Sequence, residues 1–176
     1  MTLDPVRYDS RCGGQVLRYH TWPVHRQQSV AEHTWQMMRV LLAIWPDAPA
    51  AALRYALHHD TGEVATGDIP FPVKREQPEV KAIMDRLEDE ALAVMGIVQP
   101  EIPAHWRWRI KVADMLEMWE FGLDELCLGN KMAKPIVART MEVVLQMATA
   151  DGLGDDLVLI LDWVHRRTEW YDRATS

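Results

Sequence analysis

The sequence predicts an all-α protein that forms one domain of about six helices. Apolar residues recur at helical spacing in several separate stretches, and no segment shows the apolar–polar alternation of a half-buried strand. Prolines and glycines fall between these stretches, where they end one helix or begin the next. The 176 residues are 48% hydrophobic, which is enough to bury the core of one domain.

The first two helices have clear boundary signals. A helix is predicted over residues 30–45, because Ser29 and Glu32 form a capping box at its start. A second helix is predicted to start at Asp47 with Pro49 and to reach His59-Asp60 near its C-terminal end. These two helices hold the first of the residues that carry chemistry.

The segment after the second helix is predicted to be irregular before the third helix begins. Residues 61–63 continue as a turn or short helix, and residues 66–72 form a loop, since two prolines and a glycine prevent regular structure there. The third helix is predicted from Pro78 to about residue 95. Its acidic run, residues 85–90, is interpreted as a solvated face.

Three further helices are predicted in the second half of the chain. The fourth covers residues 104–121 and ends at Gly122. The fifth covers about residues 134–150, and the last runs from residue 155 or 156 to about residue 170. No stretch of the chain approaches the roughly 20 apolar residues of a membrane span.

Charge and cysteine content exclude several classes of protein. The formal charge of −7 argues against a nucleic-acid-binding surface, which would carry a basic stripe. The N-terminal residues have no apolar leader, and the two cysteines have no ligand-type spacing. We therefore expect a reduced, cytoplasmic protein that binds neither nucleic acid nor membranes.

Potential metal ligands and acid–base groups are densest around His59-Asp60, which offers a cation one nitrogen and one oxygen. His33 lies on or beside the buried face of the preceding helix. Asp114 lies inside the fourth helix at an apolar position, where a lone carboxylate needs a partner. A metal, Lys111 in a helix-surface pair, and solvent at an exposed face are the three candidate partners.

In this order, these residues resemble the HD superfamily of metal-dependent phosphohydrolases, whose pattern is His, then His-Asp, then a distant Asp. The resemblance is closest to the bacterial 5'-deoxynucleotidases and the phage deoxynucleoside triphosphohydrolases, and it extends from Arg18 to beyond Asp114. Its specific parts are Ser29-Val30-Ala31-Glu32-His33, then His59-Asp60-Thr61-Gly62-Glu63-Val64 joined to Thr66-Gly67-Asp68-Ile69-Pro70-Phe71-Pro72-Val73-Lys74, and then Ala113-Asp114. It implies a single HD-type helical bundle over residues 1–176.

The resemblance also implies roles for individual residues. The positions that match the four metal ligands are His33, His59, Asp60 and Asp114, for one divalent cation such as Co, Mn, Zn, Ni or Fe, with Mg as an option at a second position. Glu63 matches the catalytic acidic residue that acts on the attacking water or its hydrogen-bond network, and Arg18 matches a catalytic arginine that orients the phosphate. The expected substrate contacts are Arg18, Tyr19, Trp22, His33, Asp68, Ile69, Pro70 and Lys74. Tyr19 stands where the deoxynucleotidases carry a tryptophan.

The implied reaction is hydrolysis of the ester between O5' and the first phosphorus of a deoxynucleotide. A monophosphate would give deoxynucleoside and phosphate, and a triphosphate such as dATP would give deoxynucleoside and triphosphate. A cyclic-nucleotide or oligonucleotide phosphodiesterase is one alternative, against which the loop at residues 67–70 argues. A non-catalytic nucleotide-binding regulatory module is another, against which the complete ligand set argues. A phage-encoded enzyme would work in the host cytoplasm.

Self-association is predicted from the aromatic content. Trp106, Trp108, Trp163 and Trp170 provide more aromatic surface than one domain of this size needs to bury internally. We expect a homo-oligomer, for which a dimer or a hexamer is the family expectation.

Overall fold

The computed structural model describes residues 8–150 and 154–175, and these are predominantly helical. The α-helices are α1 (Ser10–Gly13), α2 (Val30–Ile44), α3 (Ala50–His58), α4 (Phe71–Glu76), α5 (Pro78–Val94), α6 (Ala104–Cys127), α7 (Lys134–Ala150) and α8 (Gly154–Thr175). Two 3-10 turns cover Thr61–Val64 and Lys131–Ala133. The all-α prediction is confirmed, and each of the predicted helices is present.

A short antiparallel ladder was not predicted. It joins β1 (Leu17–Arg18) to β2 (Gln28–Ser29), so that Leu17 lies opposite Ser29 and Arg18 lies opposite Gln28. Strands of two residues are too short to show a period in the sequence. The ladder therefore brings Arg18 next to Gln28, two residues before α2 begins.

One of the two hydrogen bonds of the predicted capping box is present at the start of α2. The backbone N–H of Glu32 donates to the Ser29 hydroxyl over 3.2 Å. Downstream, α5 ends with Gly96 at φ 71°, and the backbone N–H of Ile97 donates to the Leu92 carbonyl over 2.9 Å. This is the helix ending that a glycine in the left-handed region permits.

The loop prediction for residues 66–72 is wrong at its end, because α4 begins at Phe71. A proline in the first turn of a helix loses no hydrogen bond, since the amides there have no partner within the helix. The two prolines that argue against a helix in sequence are therefore compatible with the start of one.

The predicted end of the fourth helix at Gly122 is also wrong, because α6 continues to Cys127. A Cβ atom at position 122 would lie 2.8 Å from Cγ2 of Val137 in α7. Gly122 thus serves the close packing of two helices and does not end one. The last helix likewise extends past the predicted residue 170 to Thr175.

The described part of the chain forms two compact units. Among the described residues, the first unit consists of residues 8–23, 27–38 and 49–103, and the second consists of residues 24–26, 39–48, 104–150 and 154–175. Within these described residues, none of the helices combines the length and apolarity needed to cross a membrane.

The second unit uses much of the aromatic surface on which the self-association prediction rests. Trp106 and Trp163 are 6% and 7% exposed, whereas Trp170 is 52% exposed. The indole N–H of Trp163 donates to Oε1 of Glu120 in α6 over 3.0 Å. The burial of Trp106 and Trp163 is therefore explained by packing within the unit, without a second chain. The oligomer stays a prediction.

Glu125 joins separate segments of the second unit through buried hydrogen bonds. Its carboxylate is fully buried and accepts hydrogen bonds from the backbone N–H groups of His25 and Arg26 at 2.6 and 3.0 Å, and from the Asn130 side chain at 2.8 Å. Burial opposes ionisation of Glu125, but these donors outweigh it and lower the pKa of its carboxyl group.

We expect Glu125→Gln to lower the free energy of unfolding by about 2–4 kcal/mol at neutral pH, because an amide places N–H groups against backbone donors. Since the pKa of Glu125 is lowered in the folded state, its contribution is present above the ordinary glutamate pKa and is lost as the pH falls. Urea unfolding at pH 7 and pH 4 measures both effects. Glu142→Gln is the control, since Glu142 is exposed in its pair with Arg139. Equal stability of the two variants at pH 7 would contradict this account.

Candidate active site

The structure brings three of the predicted metal ligands together in the first unit. His33 is fully buried in α2, His59 follows the last residue of α3, and Asp60 is next in the chain. One ligand atom from each lies within 4.8 Å of the others. Oδ2 of Asp60 is 3.2 Å from Nε2 of His59 and 3.6 Å from Nε2 of His33.

The imidazole of His59 is oriented as a metal ligand requires. Its Nδ1 lies 2.7 Å from the backbone carbonyl oxygen of Ala56, so Nδ1 carries the proton and donates it. The buried Nε2 then has its lone pair available, and it makes no hydrogen bond within the described residues. A carbonyl that fixes the tautomer of a ligating histidine is a common arrangement at metal sites. The residues present therefore fit a divalent cation.

Asp60 is held in its ionised form. Burial opposes this, but the imidazoles of His59 and His33, when they are protonated, and the Arg18 guanidinium outweigh burial and hold the pKa of Asp60 well below its usual range. Nη1 of Arg18 donates to Oδ2 of Asp60 over 3.2 Å, and the Arg18 side chain is buried. Arg18, which is predicted to orient the phosphate, is thus held by a hydrogen bond to Asp60, a predicted metal ligand.

Tyr19 has the only positive φ angle, 56°, among the non-glycine residues that the structure describes. This conformation is uncommon for a residue with a bulky side chain. The turn is closed by the backbone N–H of Trp22, which donates to the Tyr19 carbonyl over 2.9 Å. The Arg18 guanidinium lies 5.8 Å from the centre of the Tyr19 ring. The structure therefore places the Tyr19 ring beside Arg18, which in turn donates to Asp60.

Glu63 lies in the 3-10 turn that follows Asp60 and is 2% exposed. Burial, together with the charge of Asp60, raises the pKa of Glu63 to about 8. Its Oε1 accepts a hydrogen bond from Nζ of Lys74 over 3.0 Å, while the buried Oε2 makes no hydrogen bond within the residues described. A carboxyl group of this pKa is suited to proton transfer near neutral pH.

The loop after Glu63 carries the predicted sugar contacts. The backbone N–H of Gly67 donates to the Glu63 carbonyl over 2.6 Å, and Gly67 has a φ of 74°, which favours glycine. Asp68, Ile69 and Pro70 follow and are partly exposed. The charge of Asp68 contributes to the raised pKa of Glu63, so the loop is electrostatically coupled to that group.

Sequence reasoning missed Glu88 in α5. The interpretation of its acidic run as solvated is wrong at this position, since the Glu88 side chain is only 15% exposed. Its Oε1 accepts a hydrogen bond from the Thr66 hydroxyl over 2.9 Å and lies 3.9 Å from Nζ of Lys74. Helical spacing could have indicated this burial, because Ala91 and Leu92, three and four residues further on, are buried.

Asp114 is buried in α6 of the second unit, at 6% exposure. Nζ of Lys111 donates to its Oδ2 over 2.6 Å. Solvent is thereby excluded as its main partner, and the predicted pair with Lys111 is formed. Its role as a metal ligand stays a prediction.

The chain is similar to known deoxynucleotide hydrolases. A family model described as 5'-deoxynucleotidase YfbR-like matches residues 15–151. A dATP triphosphohydrolase of Salmonella phage PMBT28 is 32% identical over 66% of this chain and 64% of that protein. A dATP triphosphohydrolase of cyanophage S-2L is 25% identical over 87% of this chain and 94% of that protein. A 5'-deoxynucleotidase of Enterobacter sp. strain 638 is 30% identical over 69% and 75%, respectively.

The fold is also similar to a solved structure. The cyanophage S-2L HD phosphohydrolase, whose structure holds dA and one catalytic Zn2+ ion, superposes with a TM-score of 0.73 at 19% identity. The match covers 94% of this chain and 96% of that one. This likeness confirms the HD-type helical fold.

Proposed function

Because the chain belongs to the 5'-deoxynucleotidase YfbR-like family, we propose that it is a metal-dependent phosphohydrolase that cleaves the O5'–phosphorus ester of deoxynucleotides. The observation that carries this proposal is the convergence of His33, His59 and Asp60, whose ligand atoms lie within 4.8 Å of one another. The buried acid Glu63 lies one turn further along the chain. A ligand cluster beside an acid of raised pKa supports hydrolysis better than it supports binding alone.

The residues that would hold the cation are His33, His59 and Asp60, with Asp114 proposed as the fourth ligand. When bound, a divalent cation polarises a phosphoryl oxygen and makes water more acidic. Mixed nitrogen and oxygen ligands suit Zn, Co, Mn, Ni or Fe. Mg at a second position belongs to the same proposal.

Glu63 is the proposed proton acceptor for the attacking water. Its Oε2 makes no hydrogen bond within the described residues, so this oxygen is available to a water. A pKa of about 8 leaves Glu63 able both to accept a proton and to release it near neutral pH. The water oxygen attacks phosphorus while Glu63 takes one proton from the water, the bond from phosphorus to O5' breaks, and the proton held by Glu63 passes to O5' as the deoxynucleoside leaves.

Arg18 and Lys74 are proposed to bind the phosphate. The guanidinium of Arg18 is planar and offers several N–H groups, so it can hold Asp60 and a phosphate oxygen together. Lys74 has a flexible side chain and supplies a point charge, with Glu63 as its present partner. The neutralised phosphate is then a better electrophile.

The proposed contacts to the sugar and base come from the two segments that flank this cluster. Tyr19 and Trp22 belong to the turn beside Arg18, and Trp22 is 39% exposed. Asp68, Ile69 and Pro70 belong to the loop that follows Glu63. An exposed aromatic ring offers a stacking surface, and Asp68 offers a hydrogen-bond acceptor for a sugar hydroxyl.

Deoxynucleoside 5'-monophosphates are the first proposed substrates, because the family model describes 5'-deoxynucleotidases. Deoxynucleoside triphosphates are the second, because the match to the cyanophage dATP triphosphohydrolase covers 94% of that protein. The same chemistry at the first phosphorus serves both substrates.

Chromatography of the products formed by Co- or Mn-loaded protein tests this proposal, with dAMP, dATP and ATP supplied separately. Phosphate from dAMP, with dATP spared, indicates a 5'-deoxynucleotidase. Deoxyadenosine and intact triphosphate from dATP indicate a triphosphohydrolase. No product from any deoxynucleotide with any of the metals named above would overturn the proposal and favour a nucleotide-binding module.

A further inference from the structure

Glu88 is a largely buried carboxylate that the proposed reaction does not use. It lies in α5 of the first unit, and its side chain is 15% exposed, whereas the next two acids in the helix, Asp89 and Glu90, are exposed. Burial of a carboxylate is costly unless the group is paired and hydrogen-bonded. The groups that pair with the Glu88 carboxylate therefore indicate its role.

The backbone of α5 at Glu88 touches the turn that carries Glu63. A Cβ atom at Gly62 would lie 2.8 Å from the Glu88 carbonyl oxygen and 2.8 Å from its Cβ. Only a residue without a side chain permits such a close approach. Gly62, the residue directly before Glu63, therefore packs closely against Glu88.

The carboxylate of Glu88 reaches two further groups of the same region. Its Oε1 accepts from the Thr66 hydroxyl over 2.9 Å, just after the turn ends. The same oxygen lies 3.9 Å from Nζ of Lys74, which donates to Glu63 over 3.0 Å. The Lys74 ammonium therefore lies between two carboxylates, of which only Glu63 has a proposed catalytic role.

We propose that Glu88 is a positioning residue that holds the Lys74 ammonium, and through it Glu63, in the arrangement that binds substrate phosphate. This inference rests on the proposed function. At 3.9 Å in a partly buried site the attraction between unit charges is substantial. Burial would lower the pKa of Lys74, but Glu63 and Glu88 outweigh burial and raise it, so the second carboxylate helps to keep the ammonium charged.

A double-mutant cycle with metal-loaded protein tests the coupling between Glu88 and Lys74. We expect Glu88→Gln to lower kcat/KM for dAMP, or for dATP if that is the substrate, by about tenfold, mainly through a higher KM. In the Lys74→Met background the same change should cost less than about twofold, because its effect passes through the ammonium. Asp89→Asn, an exposed neighbour, should leave turnover unchanged. Metal content and the thermal midpoint of each variant show whether the fold persists.

An equal loss in both backgrounds would mean that Glu88 only supports the packing of α5, and no loss in either would also overturn the proposal. A second measurement is independent of turnover. Reductive methylation followed by mass spectrometry reports how readily the Lys74 amine reacts, with the exposed Lys134 as the internal reference. Glu88→Gln should speed labelling of Lys74 severalfold. A wild-type enzyme without activity would refute the proposed function, and unchanged labelling of Lys74 would refute the role of Glu88.

Discussion

Replacing Glu63 with Gln is expected to lower kcat by about 10²- to 10⁴-fold, because the amide cannot accept the proton of the attacking water. The amide oxygen can still accept the hydrogen bond that Lys74 donates to Oε1 in the native protein. Glu63→Gln should therefore keep its metal, its fold and its affinity for deoxynucleotide. Steady-state kinetics, metal analysis and calorimetric titration with nucleotide measure these properties separately.

Glu90→Gln is the matched control for this variant, since Glu90 is exposed in its pair with Arg86. It should retain native turnover. If Glu63→Gln stays within about threefold of native kcat, Glu63 takes no part in proton transfer, because general base catalysis contributes far more than this. A loss of metal together with activity would instead assign Glu63 to the ligand set.

Replacing His59 with Ala is expected to weaken metal binding by at least about 100-fold and to abolish turnover at ordinary metal concentrations. His59 supplies an Nε2 whose tautomer is fixed by the Ala56 carbonyl, and alanine supplies no ligand. Equilibrium dialysis with Co2+, followed by its visible absorption, measures affinity and ligand geometry together. His165→Ala removes an exposed histidine and should change neither.

Two further outcomes of the His59 experiment are informative. Turnover that returns at high Co2+ concentration would show that the variant is folded and that affinity alone has changed. Native affinity in His59→Ala would mean that the cation binds elsewhere, and the cluster of His33, His59 and Asp60 would then lose its proposed role.

Local sequence signals predicted the elements that carry the site. Ser29 and Glu32 predict the start of α2, and helical spacing predicts His33 on or beside the buried face, where it is fully buried. The resemblance to HD phosphohydrolases, drawn from His33, His59-Asp60 and Asp114, is confirmed by the family match. The helix signals depend only on residues close together in the chain. The motif of His, His-Asp and Asp is recognisable even where the sequence identity to relatives is low.

Contacts between distant parts of the chain could not be predicted in the same way. The hydrogen bond from Arg18 to Asp60 joins residues 42 positions apart, and that from Thr66 to Glu88 joins residues 22 apart. The charge pattern alone predicts that Glu88 is exposed, like the other acidic residues of the segment 85–90. In the sequence Gly122 predicts a helix end, whereas its packing partner, Val137, belongs to another helix and is not visible to a local rule. Propensity rules describe one segment at a time, and tertiary packing overrides them.

Hydrolysis of the preferred substrate, dAMP or dATP, in water enriched in ¹⁸O tests the central claim most directly. If water attacks phosphorus, mass spectrometry will find one ¹⁸O atom in the released phosphate or triphosphate and none in deoxyadenosine, and protein freed of metal will form neither product. Label in the deoxyadenosine would show cleavage between carbon and oxygen. Equal turnover after removal of metal would contradict the role assigned to His33, His59 and Asp60.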